Sequence, residues 1–191
     1  AFRMCPVFGE GAFAASLRAA SRNDAGVVAR MLDAIRREPF VYTLSPPLLG
    51  ANSVDEFLFD TRKGFCEHYA SAFVFVMRAA GIPARVMTGY QGGEVNPVDG
   101  FLLVRQSDAH AWAEVWSARE GWQRVDPTAA VAPTRVEVNL AAAMPDTDAL
   151  PLISRPELGW LRQARFRWEA VSNAWNQWVL GYDETRQFDL P

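Results

Sequence analysis

GFCEHYASAFVFVMRAAGIPARVMTGY, residues 64–90, decides the fold. From Glu67 to Ala80 nearly every residue is apolar or small, and Gly81 and Pro83 then end the run. That is how a helix closes. A helix that is apolar on all sides belongs in the centre of a domain. Ala84 to Tyr90 follows with the composition of a strand. The stretch therefore reads as a buried helix feeding directly into a sheet. At its front stand Cys66 and His68, in a chain holding two cysteines and two histidines.

Downstream, Phe101 to Gln106, His110 to Trp116 and Trp122 to Val125 also read as strands, punctuated by Gly92-Gly93, Asn96-Pro97, Asp99-Gly100 and Gly121. The gaps are too short for crossover helices, so the sheet is expected to be mostly antiparallel. Upstream, Asp24 to Arg37 reads as a helix, with Asp24 able to cap it and Val27, Val28, Met31, Leu32 and Ile35 at helical spacing. Pro39 stops it, and 40–44 is a short extended piece. Helices first and sheet second make the class α+β.

The expected organisation is a weakly patterned N-terminal extension (1–22), a catalytic core (23–135), a proline-bearing linker (136–155) and a C-terminal amphipathic helix (156–191). In that last helix Leu161, Ala164, Trp168, Val171, Trp175 and Trp178 form one apolar stripe, opposite Arg162, Arg165 and Glu169. Two readings stand for it: a helix packed back on the core, or one lying on or leading to a membrane.

The 191 residues are 50% hydrophobic, which suits one domain with a sizeable core and excludes a disordered chain. A net charge of −3 argues against nucleic acid as a partner. Lys63 is the only lysine. Two cysteines make no disulfide framework, and pairing Cys5 with Cys66 would consume the latter. No apolar run approaches the ~20 residues of a membrane span. The chain begins with alanine and is expected to be a piece of a longer protein.

Residues i and i+2 of a helix point about 200° apart, so Cys66 and His68 do not face each other. His68 is expected to pack or to find a local hydrogen bond, leaving His110 as the imidazole partner for Cys66. At the start of a helix, the unpaired N–H groups and the dipole favour a thiolate. The competing reading is an inert buried cysteine; Gly64, which leaves room for a substrate, speaks against it. If 110–116 and 122–126 form an antiparallel hairpin around Gly121, His110 and Asp126 share a face in either of two registers. They then lie ~5 Å apart when opposite or ~7–8 Å apart when diagonal. Asp108 has the same parity and stays as a weaker third member. The set is Cys66 as nucleophile, His110 as base and later acid, and Asp126 to orient the imidazole. The backbone N–H of Cys66 is the default oxyanion donor; Tyr42 and Asn52 are side-chain candidates.

GFCEHYASAF, MRAAGIPARVMTGYQGG, SDAHAWAEVW and GWQRVDPT, in that order, resemble the bacterial transglutaminase-like superfamily, most closely its TgpA type of protein-glutamine gamma-glutamyltransferase. The resemblance runs from about Phe40 to Pro133 and returns in NAWNQWVLGYDETRQ. It implies a papain-like α+β fold, with the nucleophile on Cys66, the histidine on His110 and the aspartate on Asp126. It implies no cofactor. It also implies a periplasmic domain of an inner-membrane protein, with cell-wall-associated substrates; the domain itself is expected to be monomeric. Animal transglutaminases carry a tryptophan upstream of the cysteine, whereas the first tryptophan here is Trp112, so their oxyanion arrangement does not transfer. No EF-hand-like acidic loop supports calcium dependence.

Three functions fit. The first is acyl transfer, in which Cys66 attacks a protein or peptide glutamine and a primary amine resolves the thioester, shielded by nearby tryptophans and the 91–100 loop. The second is a cysteine peptidase or amidase using the same triad with water as acceptor. The third is a binding module with a dispensable Cys66. Self-crosslinking through lysine has the single route of Lys63, which sits three residues before the nucleophile and is expected to be hindered.

Overall fold

The computed structural model describes residues 9–134 and 159–177. Its elements are α1 (Gly9–Ala19), α2 (Asp24–Arg37), β1 (Val41–Tyr42), α3 (Ser53–Asp55) running into a π-helical turn (Glu56–Thr61), β2 (Lys63–Gly64) and α4 (Cys66–Ala79). There follow β3 (Ala84–Tyr90), β4 (Glu94–Val95), β5 (Leu102–Leu103), β6 (Ala109–Ser117), β7 (Gly121–Val125) and α5 (Gly159–Trp175). The chain divides into one unit of 1–92 with 105–149 and another of 93–104 with 150–191.

In the first unit α4 is the buried helix the sequence requires. Tyr69, Phe73, Val76 and Met77 are fully buried along it. It ends as its sequence dictates. Gly81 adopts φ +80°, and the Ile82 N–H bonds to the Met77 carbonyl at 2.9 Å, a closure that favours glycine. One face of α4 meets Ala84, Ala113 and Val115 of the sheet; α1 and α2 add Ala14, Leu17, Val27, Met31 and Ile35 to the same core. The sheet is antiparallel in the order β3-β6-β7, with Trp116 opposite Trp122.

Some local details differ from expectation. Residues 1–22 hold a helix, α1, whose buried Ala14 and Leu17 join the core. The cap of α2 is Asn23, whose side chain accepts the Gly26 N–H at 2.9 Å, while Asp24 is the first helical residue. β1 and β2 form a short parallel pair, with Val41 N–H on the Arg62 carbonyl and Thr43 N–H on that of Gly64. This pair clamps the segment that runs into Cys66.

In the second unit β4 and β5 pair antiparallel, so the expected strand at 101–106 shortens to two residues. α5 docks by its polar face. Phe166 is buried, its carbonyl accepts from Nδ2 of the fully buried Asn96 at 2.9 Å, Arg165 bonds Glu94 at 2.9 Å, and Asn173 reaches Asp99 at 3.3 Å. Leu161, Trp168, Val171 and Trp175 of the apolar stripe are exposed. The buried Asn96 is satisfied by a backbone carbonyl of the helix, and Arg165 and Asn173 meet the two partly exposed carboxylates. The 136–155 linker, Cys5, Trp178 and the last fourteen residues lie outside the described residues. Among the described residues no helix is long and apolar enough to cross a membrane.

Candidate active site

Cys66 is the first residue of α4, buried against Ala70 and Ala111 with Phe65 beside them. Phe65 precedes it in extended conformation (φ −116°, ψ −177°). The intrahelical bonds begin with His68 N–H and Tyr69 N–H on the Phe65 carbonyl, so the Cys66 amide stands ahead of them at the positive end of the helix.

His110 is the second residue of β6, opposite Gly89 of β3. Its side chain is fully buried. Nε2 lies 2.7 Å from Asp126 Oδ2. Nδ1 is buried without a hydrogen bond of ordinary geometry among the described residues, and Cys66 is the other group that interacts with the ring. Burial by itself pushes the imidazole down. The hydrogen bonds to Asp126 and Cys66, and the charge of both, outweigh it, so His110 sits above its ordinary value.

Asp126 is held independently of the histidine. It follows β7 and caps a short 3-10 helix (Pro127–Ala130), with Oδ1 accepting the Thr128 N–H at 3.1 Å. Pro127 fits the first position of that turn because no N–H is needed there. The Trp116–Trp122 register carries Asp126 level with Trp112, hence diagonal to His110. This is one of the two registers that parity allows. Asp108, the weaker candidate, turns Oδ2 to the Arg105 amide at 2.8 Å and serves the local turn.

Cys66, His110 and Asp126 thus converge, and His68 does not join them. Its Nδ1 accepts the Phe65 N–H at 3.5 Å, and its ring stands edge-on to Phe65 at 4.5 Å and against Phe57 at 5.7 Å. Desolvation lowers its pKa, with Glu67 opposing. His68 also corrects the reading of Gly64. A Cβ there would lie 2.7 Å from His68 Cβ and Cγ and 2.9 Å from Phe57, so the missing side chain makes room for packing, not for a substrate. Tyr42 is a core residue stacked on Tyr69 at 6.4 Å, and Asn52 is exposed at the start of α3 with no side-chain cap. Lys63 is exposed.

Sequence reasoning missed a layer behind the histidine. Trp112 stacks on His110 (centroids 6.3 Å apart, planes at 23°), and Arg124 lies over Trp112 at 4.4 Å. Arg124 Nη2 is 3.4 Å from Asp126 Oδ2 and also bonds Gln91. The available signal was parity: 110, 112, 124 and 126 are all even. Among the described residues no group of three or more His, Cys, Asp or Glu side chains is placed to hold a metal ion. Chemically, a cysteine at a helix start beside an imidazole anchored by a carboxylate can form and resolve an acyl-thioester.

The family model for the transglutaminase-like superfamily matches residues 11–127. A curated relative in Pseudomonas aeruginosa, named protein-glutamine gamma-glutamyltransferase, is 50% identical over 183 residues, which cover 92% of this chain and 27% of the relative. YebA of Bacillus subtilis, uncharacterized, is 42% identical over 79 residues, 39% of this chain and 11% of that protein. The crystal structure of the periplasmic domain of TgpA from Pseudomonas aeruginosa superposes with a TM-score of 0.70 at 54% identity, over 74% of this chain and 50% of that one. The chain therefore spans about a quarter of the first relative and half of the solved periplasmic domain.

Proposed function

The chain belongs to the transglutaminase-like superfamily, with its papain-like α+β fold, and on that premise we propose that it is the catalytic domain of a protein-glutamine gamma-glutamyltransferase. Cys66 is the nucleophile, His110 the base and acid, and Asp126 the group that orients the imidazole. The observation that carries this reading is the 2.7 Å contact of His110 Nε2 with Asp126, which leaves Nδ1 to serve Cys66. The name and identity of the Pseudomonas relative support it.

The Cys66 thiolate attacks the γ-carboxamide carbon of a glutamine. The resulting oxyanion is received by the Cys66 backbone N–H at the start of α4. The imidazolium gives its proton to the leaving nitrogen, the C–N bond breaks, and ammonia departs from a γ-glutamyl thioester. A primary amine then attacks the thioester. His110 takes its proton, the C–S bond breaks, and an isopeptide bond and the thiolate remain. Asp126 holds Nε2–H throughout, so that Nδ1 is the nitrogen that moves protons. The domain acts on the periplasmic side of an inner membrane as part of a longer, membrane-anchored protein with substrates near the cell wall. Likeness to a periplasmic domain supports that placement.

The test is incorporation of a labelled primary amine into a glutamine-rich protein, with Cys66→Ala and His110→Ala beside the wild type. Label that requires both residues is the expected result. Cys66-dependent hydrolysis of amides or peptides without amine transfer would replace the transferase by a peptidase or amidase.

A further inference from the structure

On the reading that His110 is the base, we propose that Arg124 is a positioning residue: it fixes the plane of the imidazole through Trp112 and, through Asp126, sets the pH at which His110 loses its proton. The two links are independent. The Arg124 guanidinium carbon lies 4.4 Å from the centre of the Trp112 ring, and Trp112 lies nearly parallel to His110, so the indole touches both the guanidinium and the imidazole. The stack rests on bare backbone. Gly89 is the cross-strand neighbour of His110, and a Cβ on it would stand 2.9 Å from Trp112 Cη2. The indole N–H is buried without a hydrogen-bond partner among the described residues, so this position bears a desolvation cost in return for a stacking surface.

The second link is electrostatic. Arg124 Nη2 approaches the same Asp126 oxygen, Oδ2, that holds His110 Nε2. The same nitrogen, Nη2, also donates to Gln91 Oε1. The remaining charged groups nearby are otherwise engaged or already counted. Cys66 faces the ring from α4, Asp108 is turned to the Arg105 amide, and Glu114, level with Arg124, is taken by Arg85 at 2.7 Å. A cation sharing the carboxylate weakens its hold on an imidazolium. Removing it must raise the His110 midpoint, by about half a pH unit at roughly 6 Å in a water-like dielectric. Lysine restores the charge but not the planar stack.

The experiment is an NMR titration of imidazole nitrogens in the full chain. With two histidines, His68→Gln assigns the signals. Cys66→Ala uncouples the titrating pair. Arg124→Gln is expected to raise the His110 midpoint by about half a unit. Arg124→Lys is expected to hold it at the wild-type value while amine incorporation, measured with Cys66 intact, loses several-fold in kcat with KM unchanged. If Arg124→Gln does not fold, Arg124→Met removes the charge while keeping an apolar stem and is expected to shift the midpoint the same way. An unmoved midpoint overturns the proposal, as does an equal shift in Arg124→Lys. The titration needs no substrate. A shifted midpoint without amine transfer therefore removes the transferase reading alone, and amine transfer with an unmoved midpoint removes this one alone.

Discussion

Asp126→Asn separates the geometry of the site from its charge. Oδ1 of Asp126 caps the Thr128 N–H, and Oδ2 holds His110. Asparagine at this position keeps its carbonyl oxygen on the cap, because only an oxygen accepts there. Its NH2 group is thereby aimed at Nε2. That nitrogen becomes an acceptor, and the ring proton moves to Nδ1, where it blocks acceptance of the Cys66 proton. Loss of a charge-assisted bond costs about 1.5–3 kcal/mol, a factor of about 10–150. The wrong tautomer adds to this, and a loss of about 10⁴ is known for the same change in a serine-protease triad. We expect kcat/KM for amine incorporation to fall by about 10²–10⁴. The unfolding free energy in urea should fall by no more than about 3 kcal/mol, because the cap survives. The His110 pKa should fall, since burial opposes its charge and only Cys66 is left to offset it. Retention of more than about a tenth of wild-type kcat/KM in a folded Asp126→Asn protein would refute the orienting role, one decade being about 1.4 kcal/mol.

The two histidines give stability arms of opposite sign. His110 is raised, so its contribution is complete below about 6.5 and is lost as pH rises through its folded value; His68 is lowered, so its contribution is present above about 6.5 and is lost as pH falls. Urea unfolding of the wild type should show stability declining on both sides of that point between about pH 5.5 and 8. His110→Gln should remove the alkaline arm and His68→Gln the acid one, and unchanged arms in these variants would contradict the assignment. Gly64→Ala must displace His68 and Phe57 and should cost about 1–3 kcal/mol in denaturant unfolding; a neutral result would mean that the packing adjusts freely. In α5, Phe166→Ala should strip hydrogen-exchange protection from 159–177, whereas Trp168→Ala, at a position 72% exposed, should leave it within about 0.5 kcal/mol. The reverse order would show that the apolar stripe is the docking face.

What the sequence disclosed, and what it hid, follow from the range of the forces involved. α2 and β3 are legible to the residue, and α4 to within one residue at each end, because each is a run of one periodicity closed by its own punctuation: Pro39, Gly92 and Gly81. The His110–Asp126 contact is legible for the same reason. Two strands joined by a tight turn admit few registers, and side-chain parity survives a change from one to the other. α1 is not legible. GEGAFAASLRA has two glycines and no apolar stripe, and it is helical because α4 offers a surface that takes Ala14 and Leu17. The β1–β2 pair is two residues long and joins segments twenty-two positions apart. The docking of α5 uses Asn96, a residue whose burial nothing in its neighbourhood announces, together with the buried Phe166 and the partners of Arg165 and Asn173.

The layer of Trp112 and Arg124 belongs to the hidden class, yet it acts on the most legible residue of the site. Parity says that 110, 112, 124 and 126 share a face, but not that an indole will lie flat along the strand toward the histidine. That requires Gly89 on the neighbouring strand, since any side chain there would occupy the space of the ring. Nor does parity say that Arg124 will turn to Asp126 and not to Glu114, the residue opposite it. That choice exists because Arg85 on β3 has already taken Glu114. The three reacting groups are thus set by local rules of helix start and hairpin register. The environment that tunes them is set by which side chains the third strand leaves unoccupied. A sequence that kept Cys66, His110 and Asp126 but placed a bulky residue at 89 would retain the contacts and lose the stack behind the base.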